Sequence, residues 1–392
     1  MTAAPRRSPG SRVERDAASQ LLVDVAMERP RLGTESATTL LSRTTPDVLL
    51  ALADYHGVSG LAYERLRELP AAPEHLVAEL RQRYASGVER HMRVMWELAR
   101  VASALDRAGF RWAVIKGPVL VETLYASLPG RRTYFDLDLL VDPAAFADAL
   151  AVLDSLGARL LDRNWRVLRR DMRGELHLLL SGGTPLDLHW HLINMYRGRM
   201  RIDTSEVVGR VRRVDLGGVA IPMLDTADGI VHLALHAALA GGDRLLWLKD
   251  IERAAAVWRP DWETVIERAR RWNVGAPVGL LLSRSTEVLD AEIPSWVPAR
   301  LGARGAIRIA RWVDGISPWE YGMGRVAAPT RILARSVGHG LIGGIAWIAW
   351  RSLRNLDPQQ ELRASTFTAQ GNERDREAFV DAVLAEGRPA EH

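Results

Sequence analysis

The spacing of apolar residues predicts a sheet-containing middle region between two helical regions. From Pro73 to Leu105 apolar residues recur about every 3.6 positions, which indicates one long helix, and Gly109 is placed to end it. Residues 110–222 instead alternate short apolar runs with helical patterns, and Asp225 is placed to cap a further helix. We therefore expect an α+β fold, in which a small mixed β-sheet core is flanked by N-terminal and C-terminal helical regions. The expected parts are a disordered arm at residues 1–19, a helical region at 20–108, the sheet core at 109–222, a second helical region at 223–356 and a charged tail at 357–392.

Two aspartates lie on one predicted strand, in the segment 134–141. Successive side chains of a strand point to opposite faces, so Asp136 and Asp138 share one face at a spacing of roughly 7 Å, while the leucines around them share the other. Two carboxylates this close repel each other, and a cation between them removes the repulsion. Oxygen ligands suit Mg²⁺, so the pair is a candidate site for Mg²⁺ (or Mn²⁺) and a nucleotide. Replacing either aspartate by asparagine is expected to leave the metal-free fold unchanged or more stable.

A second candidate feature precedes this strand. The segment 111–116 indicates a short buried strand that ends in Lys116 and Gly117, and a helix is expected over 119–127. Glycine lets the backbone approach a ligand closely, and the free N–H groups of a helix N-terminus bind phosphate. Lys116 and Gly117 are therefore candidates for contact with a phosphate.

A hairpin is predicted after the aspartate strand. The segments 174–180 and 185–192 alternate polar and apolar residues and are separated by Ser-Gly-Gly-Thr, a typical turn sequence. In the second segment Asp187 is a candidate third carboxylate of a two-metal site. His189 and His191 lie on the same face, and we expect them to be polar-face or supporting residues without a catalytic role.

Taken in order, these motifs resemble a known family. The Lys-Gly pair, the pattern Arg-x-x-x-Asp-x-Asp-Leu-Leu-Val at 132–141 and Leu-Asp-Leu-His-Trp at 186–190 are similar to the uncharacterised bacterial nucleotidyltransferases of the polymerase-beta-like superfamily. The stretch 236–250, which ends in Leu-Leu-Trp-Leu-Lys-Asp, resembles the helical region of that family. The resemblance covers about residues 95–255.

The resemblance implies a metal-dependent enzyme that moves an NMP from an NTP, ATP among the candidates, to an unidentified acceptor and releases pyrophosphate. It implies two Mg²⁺ ions (or Mn²⁺). The implied catalytic and metal-binding residues are Asp136, Asp138 and Asp187, and the implied nucleotide-binding residues are Lys116, Gly117, Arg132 and Lys249. The superfamily often has Gly-Ser or Gly-Gly where this chain has Gly117-Pro118, so phosphate contact is expected to depend more on Lys116.

Two of these residues have a second interpretation. Arg132 either pairs with a surface acid or holds the carboxylates of the aspartate pair. Lys249 either lies on the surface with its apolar stem packed down, which we favour, or contacts the triphosphate. Lys116 and Lys249 are the only lysines of the chain.

Composition narrows the choice of function. The chain has 392 residues, with 52 basic against 48 acidic side chains, which is too balanced to indicate a nucleic-acid partner by itself. It has no cysteine, which excludes disulfides and thiolate metal sites. No secretory signal is visible, so a cytoplasmic location is expected. The apolar stretch 337–350 is shorter than the roughly 20 residues of a membrane span. We expect it to be a buried helix, with weak contact to a membrane surface as the alternative.

Three other functions stay open. A glycosyltransferase can also use an Asp-x-Asp motif to hold Mn²⁺ or Mg²⁺ and a nucleotide-sugar, although it does not need the distal Asp187. A toxin that nucleotidylates transfer RNA would share the active site and add a basic cleft. A non-catalytic accessory protein of a biosynthetic cluster would retain only the fold. The acceptor (a small molecule, a peptide or RNA) and the oligomeric state are not encoded in any motif of the sequence.

Overall fold

A computed structural model describes residues 10–125, 128–194, 200–305, 307–308, 327–336 and 365–387. The described residues form two compact units. Unit 1 takes its residues from the ranges 1–89, 121–134 and 230–334, and unit 2 from 90–120, 135–229 and 335–392. The units therefore do not follow the five consecutive parts expected from the sequence, because each unit is assembled from three separate stretches of chain.

Unit 1 is helical. Helices α1 and α3 begin at capping residues: Ser11 accepts a hydrogen bond from the N–H of Glu14, and Thr45 accepts one from the N–H of Val48. The helices of this unit are α1 (Arg12–Ala26), α2 (Thr34–Ser42), α3 (Pro46–His56), α4 (Ser59–Leu66), α11 (Leu245–Trp258), α12 (Trp262–Arg271), α13 (Gly275–Leu289), α14 (Trp296–Arg300) and α15 (Ala327–Ser336).

The expectation of a disordered arm at 1–19 is wrong from Arg12 onward. Ser11 and Glu14 form a reciprocal capping box that starts α1. The helix then buries Ala17, Ala18 and Leu21 in the core of unit 1. The local capping sequence and the apolar face together outweigh the polar composition of the arm.

Unit 2 contains a seven-stranded mixed sheet, as the sequence predicts. The strands are β1 (Trp112–Val114), β2 (Leu137–Val141), β3 (Arg159–Leu160), β4 (Glu175–Leu179), β5 (Pro185–His189), β6 (Arg212–Leu216) and β7 (Val219–Met223). They are ordered β3-β4-β5-β2-β1-β7-β6. The pairs β2–β5 and β1–β7 are parallel, and the other four are antiparallel. The fold is therefore α+β.

The register of three neighbouring strands collects polar side chains on one face. Asp138 of β2 lies opposite Asp187 of β5. On the other side of β5, His177 of β4 lies opposite Asp187, and Glu175 lies opposite His189. Paired residues share a face of the sheet, so all five side chains lie on the same one. The leucines between them are buried.

The predicted hairpin between β4 and β5 is confirmed. The N–H of Leu180 donates to the carbonyl of Thr184 at 2.9 Å. Gly183 has a φ of 89°, a backbone conformation that favours glycine. The carboxylate of Glu97 accepts hydrogen bonds from the N–H groups of Gly182 and Thr184 at 2.7 and 3.1 Å. These bonds hold the turn and thereby fix the end of β5 near Asp187.

The remaining helices of unit 2 are α7 (Phe146–Ser155), α8 (Trp165–Asp171), α9 (Thr204–Gly209) and α16 (Glu373–Glu386), with short 3-10 turns at Pro129–Arg131 in unit 1 and Pro143–Ala145 in unit 2. The expectation of a loose tail after residue 357 is wrong for α16. Asn372 and Asp375 form a capping box, and Phe379 is buried with its ring 6.4 Å from that of Phe146 and 6.1 Å from that of Trp165. Burial of Phe379 and Val383, together with the ion pair between Asp375 and Arg169, thus holds this charged segment on the unit.

Three further described helices contain residues of both units: α5 (Glu74–Arg107), α6 (Pro118–Leu124) and α10 (Thr226–Ala240), and the last two residues of α15 also belong to unit 2. The long helix predicted from Pro73 is confirmed, and Gly109 follows it with a φ of 77°. The predicted cap of α10 is also confirmed, since Asp225 accepts a hydrogen bond from the N–H of Asp228 at 2.7 Å. The apolar stretch 337–350 lies outside the described residues. Within the described ranges, no helix is both long and apolar enough to cross a membrane.

Candidate active site

Asp138 is the centre of the polar face. Its side chain is only 3% exposed. The ammonium Nζ of Lys116 lies 2.9 Å from its Oδ1, and the Nε2 of His189 lies 3.1 Å from the same oxygen. Burial opposes ionisation of this carboxyl, but the positive charges of Lys116 and His189 outweigh it and lower the pKa of Asp138. Asp138 is therefore a carboxylate already paired with cations.

Asp187 has the opposite environment. Among the residues the structure describes, no donor forms a hydrogen bond to its carboxylate. Burial and the neighbouring negative charges of Glu175 and Asp138 raise the pKa of Asp187 to about 7. The positive charges of His177 and His189 only partly compensate the ionised form of Asp187, and a bound cation would supply the rest.

Asp136 lies just before β2 and is partly exposed. Burial and the charge of Asp138 raise the pKa of Asp136. The two members of the aspartate pair therefore have different environments. Asp138 is held by Lys116 and His189, and Asp136 adds to the excess of negative charge at the edge of the site.

Two residues of β4 were not among the candidates from the sequence. Glu175 and His177 alternate with leucines, and the antiparallel register brings them beside Asp187 and His189. The Nδ1 of His177 lies 2.9 Å from Oδ2 of the fully buried Asp162. Burial opposes the charge of this imidazole, but Asp162 and then Asp187 and Glu175 raise the pKa of His177 to about 9. The alternation of polar and apolar residues in 174–180 was the available signal.

These side chains form two overlapping groups that could hold a metal ion. One group is Asp138, Asp187 and His189, and the other is Glu175, His177 and Asp187. Within each group, the ligand atoms all lie within 4.8 Å of one another. Carboxylate oxygens and imidazole nitrogens are ordinary ligands of divalent cations. These ligand atoms, and the negative charge of Asp187 that its neighbours do not fully compensate, therefore fit a divalent cation.

The loop at Lys116 has the expected backbone but a shorter helix. Gly117 has a φ of 64°, which favours glycine. The helix α6 begins at Pro118 and ends at Leu124, whereas the sequence predicted 119–127. Residues 126–127 lie outside the described residues. Because only seven residues align their peptide dipoles, α6 adds little to phosphate binding, and contact with a phosphate stays a prediction for Lys116 and Gly117.

Arg132 makes neither of the two contacts considered from the sequence. It lies in unit 1, where its Nε and Nη2 donate to the two carboxylate oxygens of Asp250 at 2.8 Å each. Asp250 also accepts from the hydroxyl of Tyr125 at 2.8 Å. The acid is buried, not on the surface. This bidentate pair engages Nε and Nη2, while the buried Nη1 has no hydrogen-bond partner among the described residues, and the pair supports a structural role for Arg132.

Lys249 also lies in unit 1, and the interpretation as a surface lysine is wrong. Its side chain is 4% exposed, with Nζ 2.8 Å from Glu252 and 3.1 Å from Glu28. Arg253 contacts the same Glu28 at 3.0 Å. A buried ammonium requires such partners, so this network accounts for the second lysine of the chain.

Comparison with known proteins places the chain in a family. The model of a family described as uncharacterised nucleotidyltransferase matches residues 42–290. Among solved structures, the Thermotoga maritima CCA-adding enzyme complexed with tRNA matches at 12% sequence identity and a TM-score of 0.19, covering 76% of this chain and 92% of that chain. No curated protein matches. Because the family model matches well over half of the chain, this protein belongs to the family of uncharacterised nucleotidyltransferases.

Proposed function

We propose that this protein is a divalent-cation-dependent nucleotidyltransferase that moves an NMP from an NTP to an acceptor and releases pyrophosphate. Membership of the family supports transfer of a nucleotidyl group. The observation that supports cation dependence is the direct pairing of Asp138 with Asp187 on adjacent parallel strands, within reach of one ion.

Asp138 and Asp187, with Asp136 at the edge of the site, would hold Mg²⁺ or Mn²⁺. When bound, such ions neutralise the charge of the triphosphate and stabilise an in-line displacement. Lys116 adds a fixed positive charge beside Asp138, where it can contact a phosphate oxygen. His189 holds Asp138 from the other side and so fixes the orientation of the carboxylate.

The proposed reaction needs one proton acceptor. The acceptor oxygen forms a bond to the α-phosphorus, the bond from that phosphorus to the bridging oxygen breaks, and pyrophosphate leaves. The proton of the acceptor hydroxyl passes to the carboxylate of Asp187. In the metal-free protein, burial and the neighbouring carboxylates raise the pKa of Asp187 to about 7, which strengthens it as a base, and a bound cation would lower this pKa.

The test uses a panel of NTPs labelled at the α-phosphate, with Mg²⁺ or Mn²⁺, and lysate or the protein itself as the source of acceptor. We expect label to be transferred and pyrophosphate to be released by the natural protein. Asp187→Asn should bind Mg–NTP within about tenfold of the natural affinity, or about 1.4 kcal/mol, while its transfer rate falls by several orders of magnitude. Asp154→Asn, an exposed aspartate of α7 in the same unit, is the matched control and should behave like the natural protein.

Labelling by Asp187→Asn at the natural rate would contradict the mechanism. Label from a nucleotide-sugar, with none from any NTP, would indicate the glycosyltransferase instead. Absence of Mg–NTP binding by calorimetry would indicate an accessory protein. If label is found in RNA of the lysate, the acceptor is RNA, and transfer RNA can then be tested directly.

A further inference from the structure

We propose that Glu175, His177 and Asp187 form a second metal site, which selects a first-row transition ion of the Zn²⁺ or Co²⁺ class over Mg²⁺. The site shares Asp187 with the proposed transfer site, so its place in catalysis rests on the proposed function. Its existence does not, because ion binding can be measured without a nucleotide.

The sheet itself brings the three ligands together. His177 and Asp187 are directly paired in the antiparallel register of β4 and β5, and Glu175 lies two residues before His177 on the same face. All three side chains are partly exposed, so an ion could enter from the solvent. Because strands position these residues, the site does not depend on a flexible loop.

The distances leave room for an ion between the ligand atoms. The Nε2 of His177 lies 3.5 Å from Oε1 of Glu175 and 3.9 Å from Oδ1 of Asp187. Both separations are longer than an ordinary hydrogen bond. Two ligands that each lie about 2.1 Å from an ion are about 3.4 Å apart at the tetrahedral angle. The two distances from His177 are within about 0.5 Å of this value, and the ligand atoms of all three residues lie within 4.8 Å of one another.

The imidazole is already oriented so that Nε2 would face a bound ion. Because nearby carboxylates raise the pKa of His177, the ion must displace the proton of Nε2 when it binds. His177 presents Nε2 to the two carboxylates because its Nδ1 is held by Oδ2 of Asp162 at 2.9 Å. The same Asp162 oxygen accepts the backbone N–H of His177 at 2.7 Å. A carboxylate that holds the outer ring nitrogen is the usual support of a metal-binding histidine. Asp162 is buried and belongs to neither ligand group, so it is independent of the cluster.

A buried nitrogen beside the cluster is a further independent observation. The Nδ1 of His189, whose side chain is 94% buried, makes no hydrogen bond, although it lies 3.2 Å from Oε2 of Glu175. The other carboxylate oxygen of Glu175 accepts a hydrogen bond from Asn194. Glu175 is thus held between two imidazoles, a setting that suits a bridging ligand better than a lone acid.

The ligand chemistry determines the ion. Mg²⁺ prefers oxygen ligands and octahedral geometry, whereas imidazole suits transition ions, whose affinities for one site increase from Mn²⁺ through Co²⁺. One nitrogen and two carboxylates therefore favour a transition ion. In the other group the Nε2 of His189 already contacts Asp138 at 3.1 Å, which leaves the carboxylates of Asp138 and Asp187 for the ion that accompanies the nucleotide.

The test is binding of Co²⁺ to the purified, nucleotide-free protein in excess Mg²⁺, followed by calorimetry and by the visible absorption of the bound ion. We expect the natural protein to bind Co²⁺ in the presence of Mg²⁺. His177→Gln should weaken binding at least about tenfold and change the spectrum, and Asp162→Asn should weaken it by about tenfold while leaving all three ligands in place. His75→Gln, an exposed histidine of unit 1, is the control and should change neither.

Failure of the natural protein to retain Co²⁺ in excess Mg²⁺ would overturn the proposal, and that measurement needs no variant. Natural Co²⁺ affinity in a folded His177→Gln protein would overturn it as well. If His177→Gln does not fold by circular dichroism, Asp162→Asn decides the question in its place. Transfer of nucleotide label without Co²⁺ selectivity refutes the second site alone, and Co²⁺ selectivity without any nucleotide transfer refutes the proposed function alone.

Discussion

Asp187→Asn should make the metal-free protein more stable above neutral pH. Burial and two neighbouring carboxylates raise the pKa of Asp187 from 3.8 in a free side chain to about 7. Between these values the folded protein binds a proton that the unfolded chain does not bind. The stability therefore falls as the pH rises through this range, and the full cost is present above about pH 7. Asparagine has no charge to bury, so the variant avoids the cost.

The gain in stability of Asp187→Asn can be calculated from the change in the pKa of Asp187 on folding. The change from 3.8 to about 7 corresponds to about 4 kcal/mol of unfavourable free energy for the ionised form. The side chain is 18% exposed and its neighbours can relax, so we expect a measured gain of about 1 to 4 kcal/mol. Below about pH 4, where Asp187 is protonated in both states, this contribution disappears.

The assay is urea unfolding of both proteins in a metal chelator at about pH 5 and about pH 8, with the midpoint and slope recorded for each. The gain of Asp187→Asn should be larger at the higher pH. Adding Mn²⁺ at the higher pH should then stabilise the natural protein more than the variant, because a cation supplies the compensation that asparagine makes unnecessary.

Parallel stability curves for the two proteins between these pH values would refute the reasoning. If Mn²⁺ stabilised both proteins equally, Asp187 would not be a metal ligand. Asp154→Asn should follow the natural protein at both pH values, because its carboxylate is exposed.

Three further predictions concern buried ionisable residues. Asp138→Asn should destabilise the metal-free protein by about 3 kcal/mol or more, seen as a lower urea midpoint, because Lys116 loses its partner. Lys249→Ala should cost about 3 to 5 kcal/mol, since it leaves Glu252 buried without its cation, and Lys249→Met, which keeps the stem, should cost less if packing matters. Burial lowers the pKa of His56 to about 4 in the folded protein, compared with 6.5 in a free side chain. As the pH falls from 6.5 to 4, the unfolded chain therefore binds a proton at this residue and the folded protein does not. The free energy of unfolding should decline by up to about 3 kcal/mol over this range. In His56→Gln that decline should be smaller by the same amount, and an equal slope in both proteins would contradict the assignment.

The strands and the hairpin could be predicted from the sequence because the residues that specify them are close together in the chain. Alternation of polar and apolar residues gave the hairpin at β4 and β5, and the Ser-Gly-Gly-Thr turn gave its position. The sequence analysis assigned Asp138 and Asp187 to one candidate metal site, and the two residues are paired in neighbouring strands. The alternation of polar and apolar residues in 174–180 would also have identified Glu175 and His177. In an antiparallel pair, residues opposite each other lie on the same face of the sheet, so these two side chains lie on the face of Asp187.

The partners of the charged residues could not be predicted, because they depend on distant parts of the chain. Arg132 meets Asp250 across 118 positions, and no local pattern indicates that pair. The burial of Lys249 depends on Glu28, which is even more distant in the chain. The structure reverses the expectation that Asp138→Asn is harmless for the same reason, since the sequence shows the repelling carboxylates but not the ammonium that Lys116 places beside one of them.

The division of each unit among three stretches of chain affects how the protein can be made and cut. The chain changes unit after residues 89, 120, 134, 229 and 334, so neither unit has all of its segments until synthesis has passed residue 334. All seven strands have left the ribosome by then, whereas the helix Glu373–Glu386, which packs against Phe146, is made last. A fragment that stops near residue 290, where the family match ends, would keep every ligand named here and lose that helix. Such fragments are expected to be less soluble than the full chain, and the active site should not transfer to another protein as a continuous block.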